Sequence, residues 1–539
     1  MLTEEQIRRG VDRLTLDELV GQVLNYDMDE KRVPLDKAEE IIRRTRPGSQ
    51  YMYCPRPEYR DAILALQKKY CKTPVMLVAD VEYGLQDTIK GEPPLPCPMA
   101  WGAADDADLV ERTNHAVAQR VREQGVSLAL APVVDINMNF SNCLVNTRAI
   151  SDSVAQVAKI GAAAVRGFQK DNLVAACCKH FPGDGVDQRN QHFCTSVNTL
   201  SKEEWMNTFG RVYKAMIEAG TMAIMVAHIA LPAFDKTVDD ILGYPPASLS
   251  KNLMTGLLKE RLGFEGCIVS DAMSMIGVCA MTDSDKIAVE FLKAGGDLVL
   301  FALPSDFDHI KAAVESGELP LERLKDAVRR VWRLKNKVGL FSDEAMIEER
   351  LHPQEDLEAL AQEIAERSLC VVRDAGHLLP VSLKAGDKVL QVVVRKENPL
   401  DEEGHCLSVV EEELRTRGVQ VTTLVNPQHY TVKNAVNEYD YVLFNITIDP
   451  MNYFGGTLRL TNREVLPLWR GYLLRHPRVI FTSFGDPYKL YDYPFAKTYI
   501  NAFSSSPATQ RAYVKALFGE IPFAGKSPVS LEGFFERQV

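Results

Sequence analysis

The chain has 539 residues, with 62 Lys and Arg against 73 Asp and Glu, a net charge of −11 and 46% apolar residues. That acidic balance argues against nucleic acid and anionic membranes as partners, since both need basic patches. No run of about eighteen apolar residues is present, so no membrane span is expected. The charged, amphipathic start MLTEEQIRRGVDRL is unlike a secretory signal. The eleven cysteines form no CxxC pair, which fits reduced thiols in a cytoplasmic protein.

Along the chain, apolar runs at 20–26, 48–53, 74–80, 127–137, 173–180, 223–231, 266–272 and 297–303 alternate with amphipathic stretches. Near-continuous apolar runs between helices predict a parallel sheet buried on both faces. Eight of them predict an α/β protein whose first domain, 1–341, is a (β/α)8 TIM-like barrel. Leu321, Leu324, Val328, Val331 and Leu334, spaced by three and four, predict a closing helix with one apolar stripe. The Glu-rich stretch 342–366 reads as a linker and helix. Further runs at 368–373, 388–394, 419–424, 441–446, 478–484 and 498–503 predict a second domain, 367–539, built on an open α/β sheet.

In a (β/α)8 barrel the site lies at the C-terminal ends of the strands. The third run ends in Asp80. The fourth ends in Asp135 and leads to Arg148, the fifth ends in Lys179-His180, the sixth passes His228, and the seventh ends in Ser270-Asp271. Ionisable residues at the same end of five successive apolar runs point to a functional site rather than a core. Asp135 reads equally as a contact or as a structural ion-pair partner, and His228 as a hydrogen-bonded core histidine. After the fifth run comes KHFPGDGVDQRNQHF, 179–193, where Gly183 and Gly185 bracket Asp184. Glycines there permit a left-handed turn that carries His192 over the site. The loop lacks P-loop spacing, and no HExxH or Cys/His cluster marks a metal, so neither metal nor cofactor is expected.

KHFPGDG followed by QH, and then GCIVSDAMSM, resembles glycoside hydrolase family 3, most closely its bacterial β-N-acetylhexosaminidase branch. APVVDIN, NTRAISD, the stretch 245–275, KAGGDLVLF and KVGLF fit the family's barrel. SFGDPYKLYDYP and ALFGEIPFAGKSPVSL fit its second domain, an α/β sandwich. The resemblance implies that Asp271 is the catalytic nucleophile and His192 the general acid/base. It also implies that Asp80, Arg148, Lys179 and His180 hold the sugar's hydroxyl and acetamido groups. The chemistry is self-consistent, because a retaining glycosidase pairs an attacking carboxylate with a proton donor, and imidazole titrates near neutrality.

Three departures stand out. Asn190 occupies the position where that branch orients its histidine with an aspartate, and Asp184 stands where the family has a second histidine. DVEYGLQDTI also lacks the arginine often found in the loop after the third strand. An Asn carbonyl still orients an imidazole but does not stabilise its charge as a carboxylate does, so Asp184 or Asp187 is a candidate replacement. The expected activity is removal of terminal β-linked N-acetylglucosamine from a carbohydrate substrate. A β-glucosidase, a glycoside phosphorylase and a sugar-binding homologue with weakened catalysis are the alternatives.

Overall fold

The computed structural model describes residues 1–539 except 54, 86, 87, 90, 343, 352–354, 397–405, 449–458 and 538–539. Contacts gather the chain into two compact units. The first comprises Met1–Glu92, Val110–Asp135 and Gly161–Glu355, and the second Pro93–Leu109, Ile136–Ile160 and Asp356–Val539.

In the first unit the strands β1 (Asn25–Asp27), β2 (Ser49–Tyr51), β3 (Met76–Ala79), β4 (Val126–Ala129) and β5 (Ala175–Phe181) pair in sequence order. Short β6 (Ser196–Val197) and β8 (Ile229–Ala230) form a separate pair. The main sheet continues from β5 to β7 (Ala223–Val226) and β9 (Cys267–Ser270). Every pairing is parallel. The sheet curls round until Leu298 bridges Val269 on one side and Val299 bridges Leu24 on the other. This is the TIM-like barrel the alternating runs predict. Met76, Val78, Leu128, Ala175, Cys177, Ala223, Met225, Cys267 and Val269 fall at alternate strand positions and share one buried core.

Four runs differ from expectation for local reasons. The run at 20–26 begins inside a helix, Leu16–Gln22, which Thr15 and Glu18 start with a reciprocal capping box, leaving only β1 as strand. The run at 127–137 pairs regularly only to Ala129, ahead of Pro132, which has no N–H to offer a ladder. The run at 223–231 divides at His228 into β7 and β8. The eighth run, 297–303, makes bridges rather than a regular strand. Its anchor is the buried Asp297, which accepts from Ile268 N–H at 2.9 Å, Arg323 Nη2 at 2.6 Å and Lys259 Nζ at 3.3 Å.

Helix Leu321–Lys337 buries Leu324, Val328, Val331 and Leu334, whereas Leu321, at its first position, stays exposed. Lys335 on the same helix is fully buried and donates to Gln22 Oε1 at 2.8 Å, and burial pushes its pKa down to about 7. Between 342 and 366, Glu344–Glu348 is helical and Leu357–Ser368 starts a second helix capped by Asp356. Residues 343 and 352–354 of that stretch, and 86 and 87 of the loop after β3, lie outside the described residues.

The second unit is a six-stranded mixed sheet in the order β10 (Cys370–Asp374), β15 (Thr498–Asn501), β14 (Val479–Ser483), β13 (Tyr441–Ile446), β11 (Lys388–Val394), β12 (Gln420–Val425). Only β10 runs antiparallel to its neighbour. The central β13 is buried along its whole length, as a parallel strand covered on both faces must be. With helices Ser408–Thr416 and Pro507–Leu517, this is an α/β sandwich. Among the described residues no helix is long and apolar enough to cross a membrane, and no disulfide joins the ten described cysteines.

Candidate active site

The ends of β3, β5 and β9 gather most of the expected residues in the first unit. Lys179, on β5, is buried. Its Nζ donates to Asp80 Oδ1 and to Glu82 Oε1, both at 2.8 Å, and Tyr51 donates its hydroxyl to Asp80 Oδ2 at 2.9 Å. Asp80 and Glu82 thus neutralise one buried ammonium from two carboxylates. Glu82 is the residue that the sequence reading missed, although its i, i+2 spacing from Asp80 was there to be read. Removing the cation leaves two carboxylates, Asp80 and Glu82, side by side without the ammonium they share. Lys179→Met is therefore expected to destabilise the protein by about 3 kcal/mol. An unchanged urea midpoint would show that water or another group reaches Glu82 instead.

His180 is held by Asp135. The buried carboxylate accepts from His180 Nδ1 at 2.7 Å and from the backbone N–H groups of His180 (3.2 Å) and Asp184 (2.8 Å). A carboxylate only accepts, so Nδ1 carries the ring proton in this pair. Asp135, open between two roles in the sequence, is the orienting partner. The peptide bonds Ala131–Pro132, Lys179–His180 and Phe181–Pro182 in this region are cis.

The loop that follows is pinned at several points. Gly183 and Gly185 have φ of +114° and +101°, in the region glycine tolerates, and a Cβ on Gly183 would enter the Phe209 ring. Trp205 Nε1 donates to Pro182 O at 2.8 Å and Asn198 Nδ2 to Gly183 O at 3.1 Å. Asp184 Oδ1 accepts from Gly185 N–H. Asp187 accepts from the Arg189 guanidinium and from the Val197 N–H.

His192 is oriented by Asn190. Asn190 Oδ1 accepts from the His192 backbone N–H at 2.9 Å and lies 2.7 Å from Nδ1. The backbone amide can only donate, which fixes the amide orientation, and the ring nitrogen must then donate as well. Nδ1 therefore bears the proton. A ring nitrogen has one such position, so Asn190, rather than Asp184 or Asp187, fills it.

Asp271 stands at the end of β9, 9% exposed, with its N–H donating to Val226 O and its Oδ1 accepting from Ala272 N–H at 2.8 Å. Burial opposes ionisation there. The imidazoles of His180, His228 and His192 and the Ala272 N–H outweigh it and hold the carboxyl below its ordinary pKa. His228 is a fully satisfied histidine. Nε2 lies 3.0 Å from the Ala272 carbonyl, to which it can only donate, and Nδ1 lies 2.8 Å from Ser248 Oγ. Burial pushes its pKa down.

The His192 loop is stapled to the segment that follows Asp271. Ile276 N–H donates to His192 O at 3.1 Å and Thr195 Oγ1 donates to Gly277 O at 2.8 Å; from the link between β7 and β8, His228 N–H also donates to Gln191 Oε1 of this loop at 3.0 Å. Gly277 has no room for a Cβ, which would meet Gln191 O. Arg148 is the one expected residue that belongs to the second unit. It is buried at the end of the turn Asn146–Arg148, and its Nη1 donates to Leu144 O at 3.4 Å. No group of three or more His, Cys, Asp or Glu among the described residues could hold a metal ion.

Residues 16–334 match the glycosyl hydrolase family 3 N-terminal domain, more than half of the chain. The chain belongs to glycoside hydrolase family 3. It is 32% identical over 482 residues to a β-N-acetylglucosaminidase/β-glucosidase of Cellulomonas fimi, covering 85% of this chain and 83% of that one. The solved structure of the β-glucoside phosphorylase BglX superposes with a TM-score of 0.87 at 29% identity, covering 98% of this chain and 97% of that one. A family 3 β-N-acetylglucosaminidase from Paenibacillus sp. str. FPU-7 has the same fold, with a TM-score of 0.82 at 24% identity over 98% of this chain and 100% of that one. As a family 3 member the protein is a glycoside hydrolase, with the family's TIM-like barrel and α/β sandwich.

Proposed function

We propose that the protein is a retaining exo-glycosidase that releases terminal β-linked N-acetylglucosamine, with Asp271 as nucleophile and His192 as acid/base. The observation that carries this reading is the pairing of a carboxylate held ionised at a strand end with an imidazole presented by a loop stapled to the same segment. Asp271 attacks the anomeric carbon as His192 protonates the departing oxygen. The resulting glycosyl-aspartate is then opened by water that His192 deprotonates. Lys179, Asp80 and His180 bind the sugar's polar groups, and Asn190 and Asp184 support the loop. The sugar is proposed from the name of the C. fimi relative.

One observation favours a second acceptor. The group at His192 Nδ1 is a neutral amide, so the acid/base carries less negative charge than a carboxylate-paired histidine, and inorganic phosphate meets less repulsion on its way to the intermediate. The BglX neighbour is a phosphorylase by its title. One experiment addresses both readings: digestion of an aryl β-N-acetylglucosaminide with and without phosphate, followed by product analysis. Free N-acetylglucosamine released first as the β-anomer is the expected result. A sugar phosphate at the anomeric carbon establishes phosphorolysis, and first release of the α-anomer overturns the double displacement. Much faster turnover of the matching glucoside moves the specificity to glucose.

A further inference from the structure

Phe301, in the eighth apolar run, is held in a strained conformation. Its φ is +56°, in the left-handed region that a bulky side chain avoids. Such backbone persists only where its surroundings over-determine it, and it collects at working sites. Here both flanks are fixed. The Leu300 N–H donates to Ser270 Oγ at 2.9 Å, and the Leu300 carbonyl accepts from the Met273 N–H at 3.3 Å. On the other side the Ala302 N–H donates to Asn25 O at 2.8 Å. The run is thereby tied to the residue before Asp271, to the segment after it, and to β1.

The strained residue places one ring. Phe301 meets Tyr51 edge to face, with ring centroids 4.9 Å apart and planes at 78°. Tyr51 is buried at the end of β2, and its hydroxyl donates to Asp80 Oδ2 at 2.9 Å, while Lys179 Nζ donates to Oδ1 at 2.8 Å. Each oxygen of Asp80 thus has its own buried donor, yet the side chain is still 36% exposed. A single donor leaves a carboxylate free to turn about its Cβ–Cγ bond, whereas donors on both oxygens fix its plane. Lys179 alone does not set that plane, because its ammonium is shared with Glu82. An ionised carboxylate has about four acceptor positions, so those not taken by Tyr51 and Lys179 stay open to hydroxyl donors of a ligand. We propose that Tyr51 and Phe301 are positioning residues, which lock the plane of the Asp80 carboxylate against the strand that carries Asp271. A sugar held by Asp80 then meets the nucleophile in one orientation. The proposal rests on the reading of Asp80 as a sugar-binding residue.

The test is a double-mutant cycle on the full chain, read as kcat/KM on the β-linked disaccharide of N-acetylglucosamine. Tyr51→Phe keeps the ring and its contact with Phe301 and removes only the hydroxyl. It is expected to lower kcat/KM about tenfold, the scale of one hydrogen bond to a charged group. In an Asp80→Ala background the same substitution changes kcat/KM by less than about twofold, because the group it positioned is gone. Phe301→Gly removes the ring and suits the positive φ. It is expected to lower kcat/KM about threefold in the native background and less than twofold beside Asp80→Ala. Equal losses in both backgrounds are what a general packing role gives, and they would overturn the positioning role. Wild-type activity in Tyr51→Phe would overturn it too. Wild-type activity in Asp80→Ala itself overturns the sugar-binding reading and the positioning role with it. Tyr51→Phe losses confined to the native background, with Asp80→Ala impaired, establish both. The same cycle on cellobiose keeps the comparison readable for an enzyme that prefers glucose.

Discussion

Asp271→Ala is expected to lower kcat/KM on aryl β-N-acetylglucosaminides by at least about 10³-fold, the scale seen when a covalent nucleophile is removed. The reason is specific to its surroundings. The carboxyl is buried, yet three imidazoles and the Ala272 N–H keep it ionised, so it is a desolvated anion aimed from a rigid strand end. Alanine removes the anion and leaves a gap beside His228 and Val226. Added azide is small enough to enter that gap, so the variant is expected to form a glycosyl azide of inverted configuration. Wild-type rates in Asp271→Ala, or azide products of retained configuration, would place the nucleophile elsewhere. The same surroundings set a pH dependence. A lowered folded-state pKa means that the acid limb of kcat/KM lies below the ordinary carboxylate range. The stability gained from ionisation is complete above the unfolded value and is lost as pH falls through the folded one.

His192→Ala separates the two chemical steps. On substrates with poor leaving groups, such as the disaccharide, kcat/KM is expected to fall about 10³-fold, within the usual range for losing a general acid. A dinitrophenyl glycoside departs without a proton, so its kcat/KM falls by less than about tenfold. Its kcat falls further, because the base that activates water in the second step is gone. Azide, which needs no base, is then expected to restore kcat. Equal losses for both leaving groups would argue that His192 shapes the site rather than moving a proton.

Much of the fold could be read where one local rule acts without competition. The runs at 388–394 and 441–446 became β11 and β13 residue for residue, because a strand covered on both faces is written as a near-continuous apolar stretch, broken here only by Lys388, Gln391 and Asn445. Reading failed where two rules met. Val20 and Gln22 look like strand residues, but Thr15 and Glu18 had already started a helix through them, and that capping pattern was present in the sequence. The eighth run carries the right apolar pattern, yet its place depends on Asp297 meeting Lys259 and Arg323, a convergence that no local window contains. Lys335 is the same lesson reversed: a lysine on a helix reads as a solvent-facing residue until Gln22, more than three hundred positions away, receives it.

The candidate site was legible as strand ends and motifs. Asp80, Lys179, His180 and Asp271 are where the barrel rule puts them, in the first unit. What the chain order hides is pairing. Asp135 belongs to His180 because β4 and β5 are neighbours, and Glu82 to Lys179 because the ends of β3 and β5 meet across β4. Asn190, which reads as a lost carboxylate, turns out to keep the orienting half of that carboxylate's work through one oxygen.

The staple between the His192 turn and the segment after Asp271 bears on how this architecture can be recombined. Ile276 N–H, Gly277 and Thr195 fit two loops together so closely that neither sequence is independent of the other. A chimera that imports residues 183–195 from a relative while keeping its own 272–277 inherits half of a matched pair. The smallest transplantable piece of this barrel's chemistry is therefore two segments wide, and grafts that respect that boundary are the ones that keep a working geometry.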